Sequence, residues 1–331
     1  MVQAPEGSPP MTLAEHPVFA IAGTEYRWAD VALAAMHWDE WAELEAKARF
    51  GLICAARAHA TGGRPSRETL TARANAYRYE HDLISAEQTV AWLRRRGVTT
   101  AMWMEWVERC LLREQEGAAA SESSTHADEA EVEPAALVEG ICNGNLVRVA
   151  HKLAGRAAVH AALGSKADGE SLPAPPSVAE FDRSFERFRT AVVTTRALQD
   201  RIASHHLDWI RLDYRTATFA SDDATREAAL AVRADGVALA EVAAEAHAPL
   251  FAERVYLEHA DPALRDRLLG AKAGDLVGPL HLGDAFIVLQ IDAKVLPSMH
   301  DPEVRRLAEA SILESAVARE VADRVTWYLA P

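Results

Sequence analysis

The chain has 331 residues and a mass of 36.1 kDa, enough for one large domain or two ordinary ones with cores of their own, which excludes a small stapled scaffold. About a fifth of the residues are alanine, the strongest helix former, so a mainly helical fold is expected. A formal charge of −14 and a pI near 5.4 argue against a nucleic-acid partner, because neutralising phosphates takes a clustered basic face. The basic run Arg94 to Arg96 reads as a solvated helix end.

Residues 1–16 read as a flexible N-terminus. Met1 to Pro17 lacks a basic start followed by an apolar stretch, so no secretory signal is expected, and no run approaches the ~18 apolar residues of a membrane span. Cys54, Cys110 and Cys142 are spaced for neither a disulfide framework nor a zinc site and read as small buried apolar residues in a reducing compartment. The expectation is a cytoplasmic protein with no membrane association.

Val18 to Arg27 is a short extended segment broken by a glycine turn. Apolar residues at three- and four-residue spacing from Val31 to Ala58 then predict one long helix. Pro65-Ser66 starts a second helix, Ser85 with Gln88 forms a capping box for a third, and Thr99 or Thr100 caps a fourth carrying Met102, Trp106, Val107 and Cys110. Residues 17–115 are therefore expected to form an N-terminal helical module. The small, acidic, aperiodic stretch 116–134 has the composition of a solvated linker, and a domain boundary is placed there. Residues 135–202 read as a further helical segment, interrupted by a loop at Ser165 to Pro176.

The pattern changes at His206. Leu207 to Tyr214 reads as a strand, Ser221 caps a helix, a short helix carries Leu239 and Val242, Arg254 to Leu257 is a second strand, and Pro262 to Leu269 is a helix. Leu276 to Leu280 and Ala285 to Ile291 flank a turn and predict a hairpin. Residues 203–297 thus make a small α+β domain. Asp301-Pro302, an N-cap with proline in the first helical position, opens a terminal helix, 301–331, whose apolar stripe is Leu313, Val317, Val321, Val325 and Tyr328.

Three segments, Gly236 to Ala243, Ala273 to Leu280 and Ala285 to Ile291, resemble the corresponding segments of parvulin-type (PpiC-like) peptidyl-prolyl isomerases in order and spacing. The extended lead-in and the helices to Leu112 are similar to the N-terminal region of SurA-like chaperones, in which the last helix returns to complete that module. Taken whole, the chain resembles PpiC-related proteins of peptide maturation systems. The resemblance implies a SurA-like helical module, a degenerate parvulin-like domain and a terminal helix packed on the N-terminal module. Active parvulins carry a histidine in the first strand and another in the last. Here those positions correspond to Trp209 and Ile287, so both histidines are replaced, and no residue set for twisting a prolyl amide is present.

Other chemistry has little support. His205, His206 and Asp208 read as polar residues at a strand mouth rather than metal ligands, and neither a nucleophile elbow nor a phosphate loop occurs. No catalytic residue, metal or cofactor is therefore assigned. The aromatic residues are the more informative set, since tryptophan combines large apolar area with an N–H donor suited to peptides. Trp103, Trp106, Tyr79, Trp209, Phe286 and Ile287 are the candidate peptide-binding residues. The function expected is a non-catalytic peptide-binding chaperone or accessory factor in ribosomal peptide maturation, acting on a precursor peptide or unfolded polypeptide. The alternatives are an active parvulin-type isomerase and a scaffold subunit for a peptide-modifying enzyme.

Overall fold

The structure, a computed structural model, describes residues 12–116, 127–164 and 176–329. It is mostly helical with two small antiparallel sheets. The chain divides into two compact units, one holding the chain up to Phe188 and again from Ala316, the other Arg189–Ser315.

In the first unit, β1 (Pro17–Ile21) and β2 (Thr24–Arg27) form a hairpin, followed by α1 (Trp28–His37), α2 (Trp41–Thr61), α3 (Arg67–Glu80), α4 (Ala86–Arg95), α5 (Thr100–Glu116), α6 (Glu129–Cys142) and α7 (Asn145–Gly164). The single long helix expected from Val31 to Ala58 is two. Asp39 adopts φ 59° between them, a left-handed turn open to aspartate. The boundary expected at 116–134 is also corrected, because both of its sides belong to the first unit. Residues 117–126 lie outside the described residues, but from Glu129 the stretch is the start of α6. Asp128 accepts from the Ala130 amide at 3.0 Å, Glu129 and Glu131 occupy the first turn, where negative charge suits the helix dipole, and Val132 is the first buried residue. From Asp128 onward the acidic residues mark a helix N-terminus. Of the expected flexible N-terminus, residues 1–11 lie outside the described residues, and Leu13–Glu15 is a 3₁₀ turn capped by Thr12.

The chain continues through α8 (Val178–Val192) and α9 (Thr195–Ser204) into β3 (Arg211–Phe219), α10 (Asp222–Ala234), α11 (Leu239–Glu245), β4 (Leu250–Tyr256), α12 (Pro262–Gly270), β5 (Leu276–Leu282), β6 (Ala285–Val295), α13 (Pro302–Arg324) and β7 (Val325–Trp327). From β3 to β6 the order is strand, helix, short helix, strand, helix and hairpin, as read from the sequence. The sheet runs β4-β3-β6-β5, all antiparallel. One face carries Leu212, Tyr214, Leu289 and Ile291 against Leu264 and Leu268 of α12. The other carries Ala217, Phe219 and Val288 against Ala228, Leu239 and Val242 of α10 and α11. Helices on both faces leave only the two edge strands facing solvent in the plane of the sheet.

One expectation is corrected in this unit. The first strand begins at Arg211, so Trp209 precedes it and occupies no strand position. Its indole is 3% exposed, stacked on His205 with centroids 4.6 Å apart and packed with Leu198, Ile202, Val304 and Ala308. The terminal helix serves the core of each unit with a different stretch. Val304, Ala308 and Ile312 belong to the core of the second unit, whereas Val321, with Val325 and Trp327 of β7, packs on the core of the first. At 23 residues α13 is about 34 Å long, enough to contribute to two cores in succession.

Candidate functional site

Four of the six aromatic and apolar residues proposed from sequence, Trp103, Trp106, Trp209 and Ile287, are buried in the cores of their own units. Trp103 and Trp106 are each 5% exposed and lie against Tyr77, at centroid distances of 5.9 and 5.2 Å. The Trp106 indole donates to Glu139 at 3.0 Å. Their three-residue spacing puts both on the buried stripe of α5, so neither offers a surface to a peptide. Tyr79 is exposed on α3, in the same unit. Phe286 and Ile287 are consecutive in β6 and point to opposite faces. Phe286 is half-buried and stacked on His281, while Ile287 is buried opposite Thr218.

The second sheet does present a surface that none of these residues marks, at the edge strand β4. The hydrogen-bond pattern fixes which groups it offers. The Thr218 amide donates to the Pro249 carbonyl at 3.1 Å, and the Leu257 amide donates to the Ile210 carbonyl at 2.9 Å. Hydrogen-bonded pairs alternate along an antiparallel ladder. With Thr216 opposite Phe251, Tyr214 opposite Glu253 and Leu212 opposite Val255, the main-chain groups of Phe251, Glu253 and Val255 turn towards β3. Those of Leu250, Ala252, Arg254 and Tyr256 therefore turn outward. Among the described residues β4 has β3 as its only sheet neighbour, and Phe251 to Arg254 are exposed.

The charged side chains on β4 turn back towards β3 and do not shield that edge. Glu253 accepts from the Tyr214 hydroxyl and from the Thr216 hydroxyl, both at 3.1 Å, using one acceptor site on each oxygen and leaving capacity on both. On the other face, Arg254 donates to Asp213 at 2.9 Å, and that hydrogen bond raises its pKa. Phe251, 58% exposed, lies on the same face as Glu253, two residues away. Together these residues present a row of open main-chain groups flanked by one apolar side chain and one carboxylate.

Burial first, and the Glu253 charge second, push the Tyr214 hydroxyl up to about 12. The unfolded residue ionises near pH 10, so the stabilisation is complete below that pH and is lost as pH rises towards 12. Loss of roughly 2–3 kcal/mol from the second unit over that window is expected, and Tyr214→Phe should abolish this part of the pH dependence in alkaline melting curves.

The opposite edge, β5, is closed. Arg233 of α10 donates to the Leu276 and Gly278 carbonyls at 3.0 and 2.6 Å, occupying acceptors that an added strand would need. Gly278 permits the local pairing of β5 with β6. It sits at φ +135°, and a Cβ there would lie 3.1 Å from the Ile287 carbonyl oxygen, so the irregular pairing between Val277 and Leu280 requires glycine. The shallow cleft of about 680 Å³ beside it is lined by the same Arg233, with Arg267 and Asp275. Arg233→Ala should leave the stability of the unit within about 1 kcal/mol, since the side chain is exposed. It should also open this edge to self-association, visible as concentration-dependent dimer in sedimentation velocity.

Sequence reasoning placed the second strand at Arg254 to Leu257 and missed Phe251 and Glu253, because alanine and glutamate are poor strand formers. The run Phe251-Ala252-Glu253-Arg254-Val255-Tyr256 pairs apolar with apolar and charged with charged residues, so it carries no period-2 signal. Among the described residues, no group of three or more histidine, cysteine, aspartate or glutamate side chains could hold a metal ion, and no helix is long and apolar enough to cross a membrane. No family model matches the chain, and no curated protein matches it.

Proposed function

We propose that this chain is a non-catalytic peptide-binding protein, a chaperone or accessory factor of ribosomal peptide maturation, that takes up an extended client segment as an added strand on β4. The observation that carries this is the contrast between the two edges: β5 is closed by Arg233, whereas β4 holds its charged side chains against β3 and leaves its outward amides and carbonyls open. Strand addition draws affinity from main-chain hydrogen bonds and specificity from alternate side chains. An apolar residue beside Phe251 and a lysine or arginine beside Glu253 complete the pattern. The overall charge of −14 steers such a basic client at low salt. The resemblance to parvulin-like segments suggests the class of client, a precursor or unfolded polypeptide, and a neighbouring peptide-modifying enzyme would receive it.

The test is fluorescence anisotropy with a labelled peptide of alternating valine and lysine, together with a prolyl isomerisation assay on a proline-containing tetrapeptide. Binding with Kd in the range of about 10–100 µM, weakening as salt rises, and no acceleration above a heat-inactivated control are expected. Absence of binding at ~100 µM would leave the scaffold role. Acceleration lost on changing a residue of the second sheet would restore the isomerase.

A further inference from the structure

The helical unit holds a largely buried arginine with no counter-charge in contact. Arg109 of α5 is 8% exposed, and among the described residues it has no hydrogen-bond or ion-pair partner. Burial pulls its pKa below the usual guanidinium value, against the pull of Glu105 and Glu139. The Glu139 carboxylate is already engaged by Arg113 and Trp106. The stem of Arg109 rests on α2 at Gly51, where a Cβ would come within 3.1 Å of the Arg109 Cβ, so the side chain is seated there by close helix packing. None of its nitrogens is both sealed from solvent and unpartnered, so the free donors face accessible space, and a guanidinium is shaped to take a carboxylate in two parallel hydrogen bonds.

Arg109 lines a cleft of about 260 Å³ between α2, α5 and α6, walled by Leu52, Met102 and Val138, with Glu105 and Glu131 also lining it. Both glutamates are exposed, so they stand at the mouth while Arg109 lies deep. At ~30 Å³ per water the space equals about nine waters, the size of a molecule of about nine heavy atoms. Two carboxylates at the mouth repel a dianion such as phosphate and attract a ligand with a cationic outer end.

We propose that this cleft binds a small zwitterion, an α-amino acid with an aliphatic side chain. Its carboxylate pairs with Arg109, its ammonium faces Glu105 and Glu131, and its side chain packs on Leu52, Met102 and Val138. This site lies in the helical unit and is independent of peptide capture at β4.

Isothermal titration of the full chain with L-leucine, 4-methylpentanoate, 3-methylbutylamine and inorganic phosphate tests it. Leucine should bind with Kd below about 1 mM, the acid and the amine at least about tenfold more weakly, and phosphate not measurably. Arg109→Met should weaken leucine by about 30-fold or more. The exposed pair Glu105→Gln/Glu131→Gln, which leaves the core untouched, should erase the preference for leucine over 4-methylpentanoate. The proposal is overturned if leucine fails to bind wild type at ~10 mM, if 4-methylpentanoate or phosphate binds as tightly as leucine, or if a folded Arg109→Met protein binds leucine unchanged. Should that variant not fold, the wild-type ranking and the double glutamine variant decide alone.

Discussion

Replacing Glu139 by alanine lowers the stability of the first unit by roughly 3–5 kcal/mol, the cost of stripping one partner from a buried ion pair. Glu139 is 3% exposed and accepts from both terminal nitrogens of Arg113, at 2.9 and 3.1 Å, and from the Trp106 indole at 3.0 Å. Burial alone would pull the Arg113 pKa down, but Glu139 outweighs it and holds the pKa above the usual guanidinium value. Truncation removes the counter-charge of the Arg113 guanidinium, which keeps only the Lys47 carbonyl and the Cys110 Sγ as acceptors, and leaves the Trp106 indole N–H without its acceptor inside the core. For a unit of this size the loss appears as a fall in Tm of about 6–20 °C by calorimetry. Glu139→Gln, which keeps an acceptor for the indole, should lose less. Replacing the pair together, as Arg113→Met with Glu139→Leu, should recover most of the loss. A fall of less than about 1 kcal/mol on Glu139→Ala would show that the pair does not organise this core.

The second large effect is on binding. Ala252→Pro should weaken capture of the valine–lysine peptide by at least about tenfold while changing the stability of the second unit by less than about 1 kcal/mol. The Ala252 amide points away from β3, so proline removes an edge donor and leaves the β3–β4 ladder intact. Glu253→Pro removes an amide that bonds to β3 and should cost about 3 kcal/mol of stability. The opposite responses of adjacent residues separate edge capture from any effect that follows general loosening of the strand.

Local chemistry made part of this architecture legible. The run Ala285 to Ile291 with a Gly283-Asp284 turn specified its hairpin, and Ser66, Ser85 and Ser221 each accept from the amide three residues on, as helix starts require. The elements that sequence missed depend on distant partners. Asp39 breaks a continuous helical period by a backbone turn that many residues disfavour. The strand at Phe251 to Glu253 forms by pairing with β3 against its own weak propensity. Which way Trp103 and Trp106 face is set by α5 packing on α3 and α6, so candidate peptide-binding residues turn out to be core. At the site the limitation was sharper still. Closure of β5 by Arg233 joins residues 43 and 45 positions apart, and opening of β4 depends on Tyr214, Thr216 and Asp213 holding Glu253 and Arg254 back. No local pattern carries either fact.

Amide hydrogen exchange by NMR on the full chain, with and without the valine–lysine peptide, tests edge capture most directly. The outward amides of Ala252 and Arg254 should exchange freely in the unliganded protein and become protected by about tenfold or more at saturating peptide. Phe251 and Glu253, already bonded to β3, should be protected in both states. Protection of Ala252 and Arg254 in register is the result the account predicts. A peptide that binds while these two amides keep exchanging at their free rates would contradict it.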